Sequence, residues 1–141
     1  MRLVMLDTSA IYALVVKDGQ RHEAAVRYAS EASHRGIRFV LADVVFLETM
    51  NLLRKRLGTL ASIQIGRHMR RSSAYLWEPV TAAGERAAWE FFEHHDDKAW
   101  SLTDCCILAV AHRMHVGEVF SFDSHFDQMP GLLRVPGRAS D

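Results

Sequence analysis

The chain alternates short, uniformly apolar runs with longer stretches of helical periodicity, and this pattern restricts its fold more than any other feature. Leu3 to Leu6 is apolar at every position. Such a run, without in/out alternation, is the signature of a strand covered on both faces of a sheet. Asp7-Thr8-Ser9 then offers side-chain caps for a helix over Ala10 to Val16. A second helix is predicted from Gln20 to His34, with Ala24, Ala25, Tyr28, Ala29 and Ala32 at helical spacing and Gly36 as its stop. Ile37 to Leu41 is the second strand. Asp43 caps a third helix that ends at Gly58, and Thr59 to Arg71 is a fourth, antiparallel to it across the tight turn. Tyr75 to Val80 is a third strand, placed at an edge by Pro79. Thr81 opens a helix to His95. Ser101-Leu102-Thr103-Asp104 opens another that is apolar all round over Cys105 to Ala111, and therefore central. Glu118 to Phe122 is a fourth strand ending at Asp123, Ser124 to Gln128 is a turn, and Leu132 to Val135 is a last strand. Strands alternating with helices form right-handed βαβ units. The expected fold is α/β, a three-layer α/β/α sandwich around a mostly parallel sheet of four to five strands. The length of 141 residues suits a single domain over residues 1–141.

Composition narrows the function classes. Hydrophobic residues make up 49% and charged residues 24%, which is globular usage. Apolar runs such as Ile107 to Ala111 are too short to span a bilayer, so no membrane partner is expected. Asp7 interrupts any secretory apolar region near the start. Cys105 and Cys106 are sequence neighbours, a poor geometry for a disulfide, and two thiols alone cannot build a zinc cage. A reducing, cytoplasmic location is the expectation. Formal net charge is zero, so nucleic acid is not recognised by bulk charge.

The chemistry is expected where acids collect. In open parallel sheets, ligands sit beyond the carboxyl ends of the strands, where strand order reverses. Asp7 and Asp123 each follow a strand, and Asp104 stands in the first turn of the buried helix. If the first and fourth strands are neighbours, Asp7 and Asp123 face one crevice. Glu48 lies inside the third helix, with Val44 and Val45 a turn before it and Leu52 a turn after, on the stripe expected to face the core. Each acid also has a local explanation: a helix cap for Asp7, a favourable helix-terminus charge for Asp104, a turn for Asp123, and snorkelling for Glu48. Taken together they point to a cation, because buried like charges repel unless a positive ion neutralises them. Ligands that are all carboxylates suit Mg²⁺ or Mn²⁺ rather than zinc. Such ions offset charge that builds on a phosphodiester and activate water for its hydrolysis. Thr8, Ser9, Ser101 and Thr103 would then orient ligands or water, or serve as helix caps, or both.

Leu-Asp-Thr-Ser-Ala, the helical Glu48, Ser-Leu-Thr-Asp104 before an Ala-rich apolar helix, and Phe-Ser-Phe-Asp123-Ser-His-Phe-Asp resemble a PIN domain. In size and motif order the chain is similar to the VapC-type toxins of bacterial toxin–antitoxin pairs. The resemblance spans essentially the whole chain. It implies a metal-dependent endoribonuclease with Mg²⁺ or Mn²⁺ as cofactor, RNA as substrate, a homodimeric state and a cognate antitoxin as partner. It also implies that Asp7, Glu48, Asp104 and Asp123 are the metal-holding catalytic acids. Ser121-Phe122-Asp123 stands where many members have Thr-x-Asp, and Asp127 could share or replace the role of Asp123. In such proteins the hairpin of the third and fourth helices often lies near the dimer interface and the RNA path, so the resemblance implies that Arg54, Arg67, Arg70 and Arg71, in the basic middle of the chain, are candidate phosphate contacts. The alternative is a non-catalytic PIN-fold module that binds RNA or protein.

Other motifs are weaker. His112 and His115, and the His94-His95-Asp96-Asp97 cluster, lack a third zinc ligand and read as helix-terminus residues. His125, near Asp123, either approaches the rim of the site or is a turn residue, and the turn is the preferred reading. Trp77, Trp89 and Trp100 are expected in the core or an interface. An aspartyl phosphatase would need an acid at position 9, where Ser9 stands, and the acidic pair and lysine of a receiver domain are missing.

Overall fold

The computed structural model describes residues 2–137; Met1 and residues 138–141 of the expected single domain lie outside the described residues. Five strands form one sheet: β1 (Arg2–Leu6), β2 (Ile37–Ala42), β3 (Tyr75–Glu78), β4 (Glu118–Phe120) and β5 (Leu133–Val135). Their order is β3-β2-β1-β4-β5 and every pairing is parallel. The connections are α1 (Thr8–Val15) and α2 (His22–His34), α3 (Asp43–Leu57) and α4 (Thr59–Arg71), and α5 (Ala82–His94) and α6 (Leu102–Met114). A single 3₁₀ turn, Ser124–Gln128, lies between β4 and β5. The chain steps from β1 to β2 to β3, then crosses back over β2 and β1 to β4. Right-handed crossovers therefore put α1 to α4 on one face and the α5–α6 pair on the other, which gives the expected α/β/α sandwich.

Val4, Met5 and Leu6 are fully buried, as a central strand covered on both faces requires. β3 is an edge strand, as Pro79 suggested, and β5 is the other edge. α6 is buried without interruption from Asp104 to Ala111. Cys105 and Cys106 are free, buried packing residues on it. Gly36 and Gly58 end their helices with φ of 70° and 86°, left-handed values that side-chain-bearing residues rarely take. No helix among the described residues is long and apolar enough to cross a membrane.

Of the three tryptophans, Trp100 is buried, Trp77 packs edge-on against Phe46, and Trp89 is half exposed. One strand differs from expectation. The β4 ladder is shorter than predicted and ends at Phe120. Ser121 still donates its N–H to Val135 O (3.1 Å), and Asp7 N–H reaches Phe120 O (3.1 Å). These two bonds carry the β1–β4–β5 pairing to the very residues that matter at the crevice.

Candidate active site

The order β2-β1-β4 makes the gap above β1 and β4 the point where the chain reverses direction across the sheet. A crevice of about 570 Å³ opens there, lined by Asp7, Glu48, Asp104 and Asp123 among others. All four predicted acids thus meet in one place. β1 delivers Asp7 and β4 delivers Asp123, while the first turn of α6 delivers Asp104 and α3 delivers Glu48.

Asp7 is 5% exposed and caps α1. Its Oδ2 accepts from Ser9 N–H (3.3 Å), Ser9 Oγ (2.7 Å) and Ser121 Oγ (2.8 Å). The direction of these bonds is set further out. Ser9 Oγ accepts the N–H of Phe122 (3.0 Å), and Ser121 Oγ accepts that of Asp123 (2.9 Å). Each hydroxyl thus accepts one backbone N–H, the two oxygens lie 3.1 Å apart, and because an ionised carboxylate can only accept, each hydroxyl proton is turned towards Asp7. With Oδ2 surrounded by donors, Oδ1 is the oxygen left to meet a cation. Burial pushes the Asp7 pKa up, and the charge of Asp104 adds to the rise, while the serine hydrogen bonds oppose it.

Asp104 forms a capping box with Ser101: Ser101 N–H donates to Asp104 Oδ2 and Asp104 N–H to Ser101 Oγ, both at 3.0 Å. Burial again raises its pKa, and the neighbouring Asp123 charge contributes. Thr103 is half-buried and does not line the crevice, so of the predicted hydroxyls at this helix only Ser101 reaches it.

Glu48 is a correction. It was expected on the core-facing stripe of α3, but it is exposed at the crevice rim. The buried stripe of α3 is Val45, Phe46, Thr49 and Leu53. At about 100° per residue, Glu48 lies roughly 115° from the centre of that stripe. Thr8 Oγ1 donates to Glu48 Oε2 (3.3 Å), and the fully buried Thr49 hydroxyl donates to Thr8 Oγ1 (3.1 Å).

Asp123 and Asp127 are separated clearly. Asp123 lines the crevice, where its Oδ1 accepts from His125 N–H at 2.9 Å. Asp127 accepts two bonds from Arg134, each 2.9 Å, and does not line it. Arg54, Arg67, Arg70 and Arg71 do not line the crevice. The Arg70 guanidinium lies over Phe46 (4.8 Å) and Trp77 (5.4 Å) instead. Arg21, which carried no signal in sequence, does line it and sits over the Phe122 ring at 5.8 Å. Ser121 and Thr49 were likewise not singled out as site residues, and Ser121 was legible only as part of the stretch around Asp123. His125, for which the sequence left a place at the rim open beside a turn, does line the crevice.

The PIN-domain family model matches residues 4–132. The chain belongs to the PIN-domain family. A relative, the 23S rRNA-specific endonuclease VapC20 of Mycobacterium tuberculosis, is 30% identical over 125 residues, 88% of this chain and 92% of that protein. The crystal structure of VapC20, a sarcin-ricin-loop-cleaving toxin, superposes with a TM-score of 0.81 at 29% identity, over 91% of this PIN domain and 95% of that chain. VapBC2 from Rickettsia felis, solved on a promoter DNA fragment, shares the fold at a TM-score of 0.70 and 13% identity, over 94% and 96% of the two chains.

The donor set fits a small hard cation. All four acids bring carboxylate oxygens to the crevice, and among the described residues Asp104 and Asp123, with His125 Nδ1, have candidate ligand atoms within 4.8 Å of one another; that nitrogen is a buried atom without a hydrogen-bond partner.

Proposed function

We propose that this PIN domain is a Mg²⁺- or Mn²⁺-dependent endoribonuclease and the toxin of a type II toxin–antitoxin pair, acting in the cytoplasm. The convergence of Asp7, Glu48, Asp104 and Asp123 on one crevice carries the reading. Likeness to VapC20, an rRNA endonuclease, supports RNA as the substrate. Asp7, Asp104, Asp123 and Glu48 would hold the cation. Bound there, it would offset phosphodiester charge and lower the pKa of the attacking water. The chain's own contribution is preorganisation. Ser9 and Ser121 hold one Asp7 oxygen, and Ser101 fixes Asp104 through its cap. Thr49 orients Thr8, which steadies Glu48 at the rim. These ligands are thus set before substrate arrives, which limits the cost of ordering them during reaction.

The route of the RNA is assigned to the α2 side. A second groove of about 650 Å³ shares Arg21 and Phe122 with the acidic crevice and continues past Arg27, Tyr28 and Ser124. Among the described residues, Arg21 and Arg27 form no ion pair. Their charge is therefore available to phosphates that flank the scissile one, and Phe122 offers a ring for base stacking. Arg21→Ala should weaken binding of a single-stranded RNA. It should also make the salt dependence shallower by about 0.7 in log–log slope, the loss of one phosphate contact. Arg70→Ala should leave both unchanged. The reverse pattern in a salt titration would return the RNA path to α3 and α4.

A homodimer and an antitoxin contact are proposed for the α3–α4 surface, where Leu47 and Leu60 are 62% and 71% exposed. Leu52 and Ile63 of the same two helices are also 40% and 41% exposed, and exposed large apolar side chains suit a protein interface.

The direct test is cleavage of purified cellular RNA by the wild-type protein with Mg²⁺, with Mn²⁺, and after chelation. Cutting should require added ion and return when it is restored. Cutting that persists in chelator removes the metal from the reading. No cutting of any RNA under any ion, with the protein folded, favours a non-catalytic module.

A further inference from the structure

We propose that His125 is a nitrogen ligand of the active-site cation, so that the site is a mixed carboxylate–imidazole centre selective for Mn²⁺ over Mg²⁺. This rests on the nuclease reading above. Among the described residues, Asp104, Asp123 and His125 are the one set of three whose candidate ligand atoms all lie within 4.8 Å of one another. Opposite ligands of an octahedral ion with bonds near 2.1 Å stand about 4.2 Å apart, so this spacing encloses one ion with small adjustments.

The imidazole is placed for that role. Its Nδ1 is 3.1 Å from Asp123 Oδ1 and 3.6 Å from Asp104 Oδ2. It is nonetheless out of hydrogen-bond alignment with either and shielded from solvent. A buried ring nitrogen among carboxylate oxygens, with no hydrogen bond of its own, costs free energy unless a third species lies between them. The backbone that carries the ring is held in place. The main-chain N–H of His125 donates to Asp123 Oδ1 (2.9 Å) and its main-chain carbonyl accepts from Trp100 Nε1 (3.1 Å). Trp100 is buried and packs against the His95 ring at 4.7 Å, and Phe126 anchors the next position in the core.

The donor type has a consequence. Mg²⁺ takes oxygen ligands and keeps its waters, whereas imidazole suits transition ions. A nitrogen at this place should strengthen Mn²⁺ binding and do little for Mg²⁺.

The test uses Mn²⁺ and Mg²⁺ alone, without RNA, on wild type, His125→Ala and His125→Asn. Pulsed EPR of Mn²⁺-loaded wild type should show coupling to a directly bound ¹⁴N, and the coupling should vanish in both variants. Calorimetry should show Mn²⁺ affinity reduced at least about tenfold and Mg²⁺ affinity changed less than about threefold. Melting curves without metal establish that the variant used is folded, and His125→Asn, closest in shape, is the reference if His125→Ala is not. Mn²⁺ binding with no nitrogen coupling, coupling that survives in the variants, or equal loss of both ions overturns the proposal and leaves the carboxylate metal site standing. No Mn²⁺ binding by wild type overturns both.

Discussion

Asp7→Asn is expected to lower RNA cleavage by at least about 10²-fold, the cost of losing a charged stabiliser at a reacting centre, and at the same time to raise the melting temperature of the metal-free protein. The two effects share one cause. The Asp7 carboxylate is buried beside Asp104, and its pKa is raised mainly by burial. An acid whose pKa is higher in the folded state than in the unfolded one binds its proton better when folded. Between those two pKa values, stability of the metal-free protein therefore falls as pH rises, and above the folded-state value it stays low. A bound cation removes that penalty at neutral pH. Asparagine removes it without a cation, and its carbonyl oxygen can still accept from Ser9 and Ser121. Relief should appear as roughly 2–4 °C in Tm for each kcal/mol in a domain of this size. Without metal, the wild-type Tm should drop across the acid range as pH rises, with a shallower drop in the variant. In the other direction, cation binding should weaken as pH falls through the raised pKa values of Asp7 and Asp104, because protons compete for the same oxygens. The measurements are cleavage rates with Mn²⁺ and melting curves with chelator over a pH series. A variant that still cuts would remove Asp7 from the catalytic set, and one that melts lower than wild type at neutral pH without metal would show that its role as a helix cap outweighs the cost of burying its charge.

Phe120→Ala is expected to cost about 3–5 kcal/mol, enough to leave little of a typical 5–15 kcal/mol total. Phe120 is fully buried. Its ring meets Tyr28 at 4.7 Å, Phe39 at 5.3 Å and Phe122 at 6.0 Å. The cluster joins α2, β2 and β4 beneath the crevice. Phe120 is also the β4 residue whose carbonyl accepts Asp7 N–H, so a cavity here loosens the strand that sets Ser121 and Asp123. Urea unfolding with a tryptophan signal measures the loss. Phe120→Leu keeps more of the volume and should cost less, with Mn²⁺ affinity near wild type. A loss under about 1.5 kcal/mol for the alanine variant would mean that the aromatic cluster does not hold the site together.

Much of the active site was readable from residue order, and particular residues show where that reading stopped. Asp7, Asp104 and Asp123 were legible because a strand end or a helix start is a local event, marked by an apolar run or a cap. Glu48 was found, but its direction was misjudged. Val44, Val45 and Leu52 suggested one stripe, while packing of α3 selected Val45, Phe46, Thr49 and Leu53. The choice between Asp123 and Asp127 was open in sequence because both are acids in one turn. In the fold Asp123 lines the crevice, whereas Asp127 pairs with Arg134 on the neighbouring strand β5, an arrangement that favours Asp123. The clustered arginines of α3 and α4 drew attention by number alone. Arg21, a single residue at the start of α2, was found only once the crevice had walls.

Local covalent order was enough to specify the elements and their class, since periodicity, caps and glycine stops each act within a few residues. It was also enough to place three carboxylates at strand and helix ends. Tertiary structure alone decided which strands lie side by side, and so which acids share a crevice. It also decided which hydroxyls point at Asp7 and which imidazole faces the carboxylates. The strand order and the Ser121 bond to Asp7 depend on contacts between segments far apart in the chain, in the latter case by more than a hundred positions, and no local preference of the chain encodes such a distance.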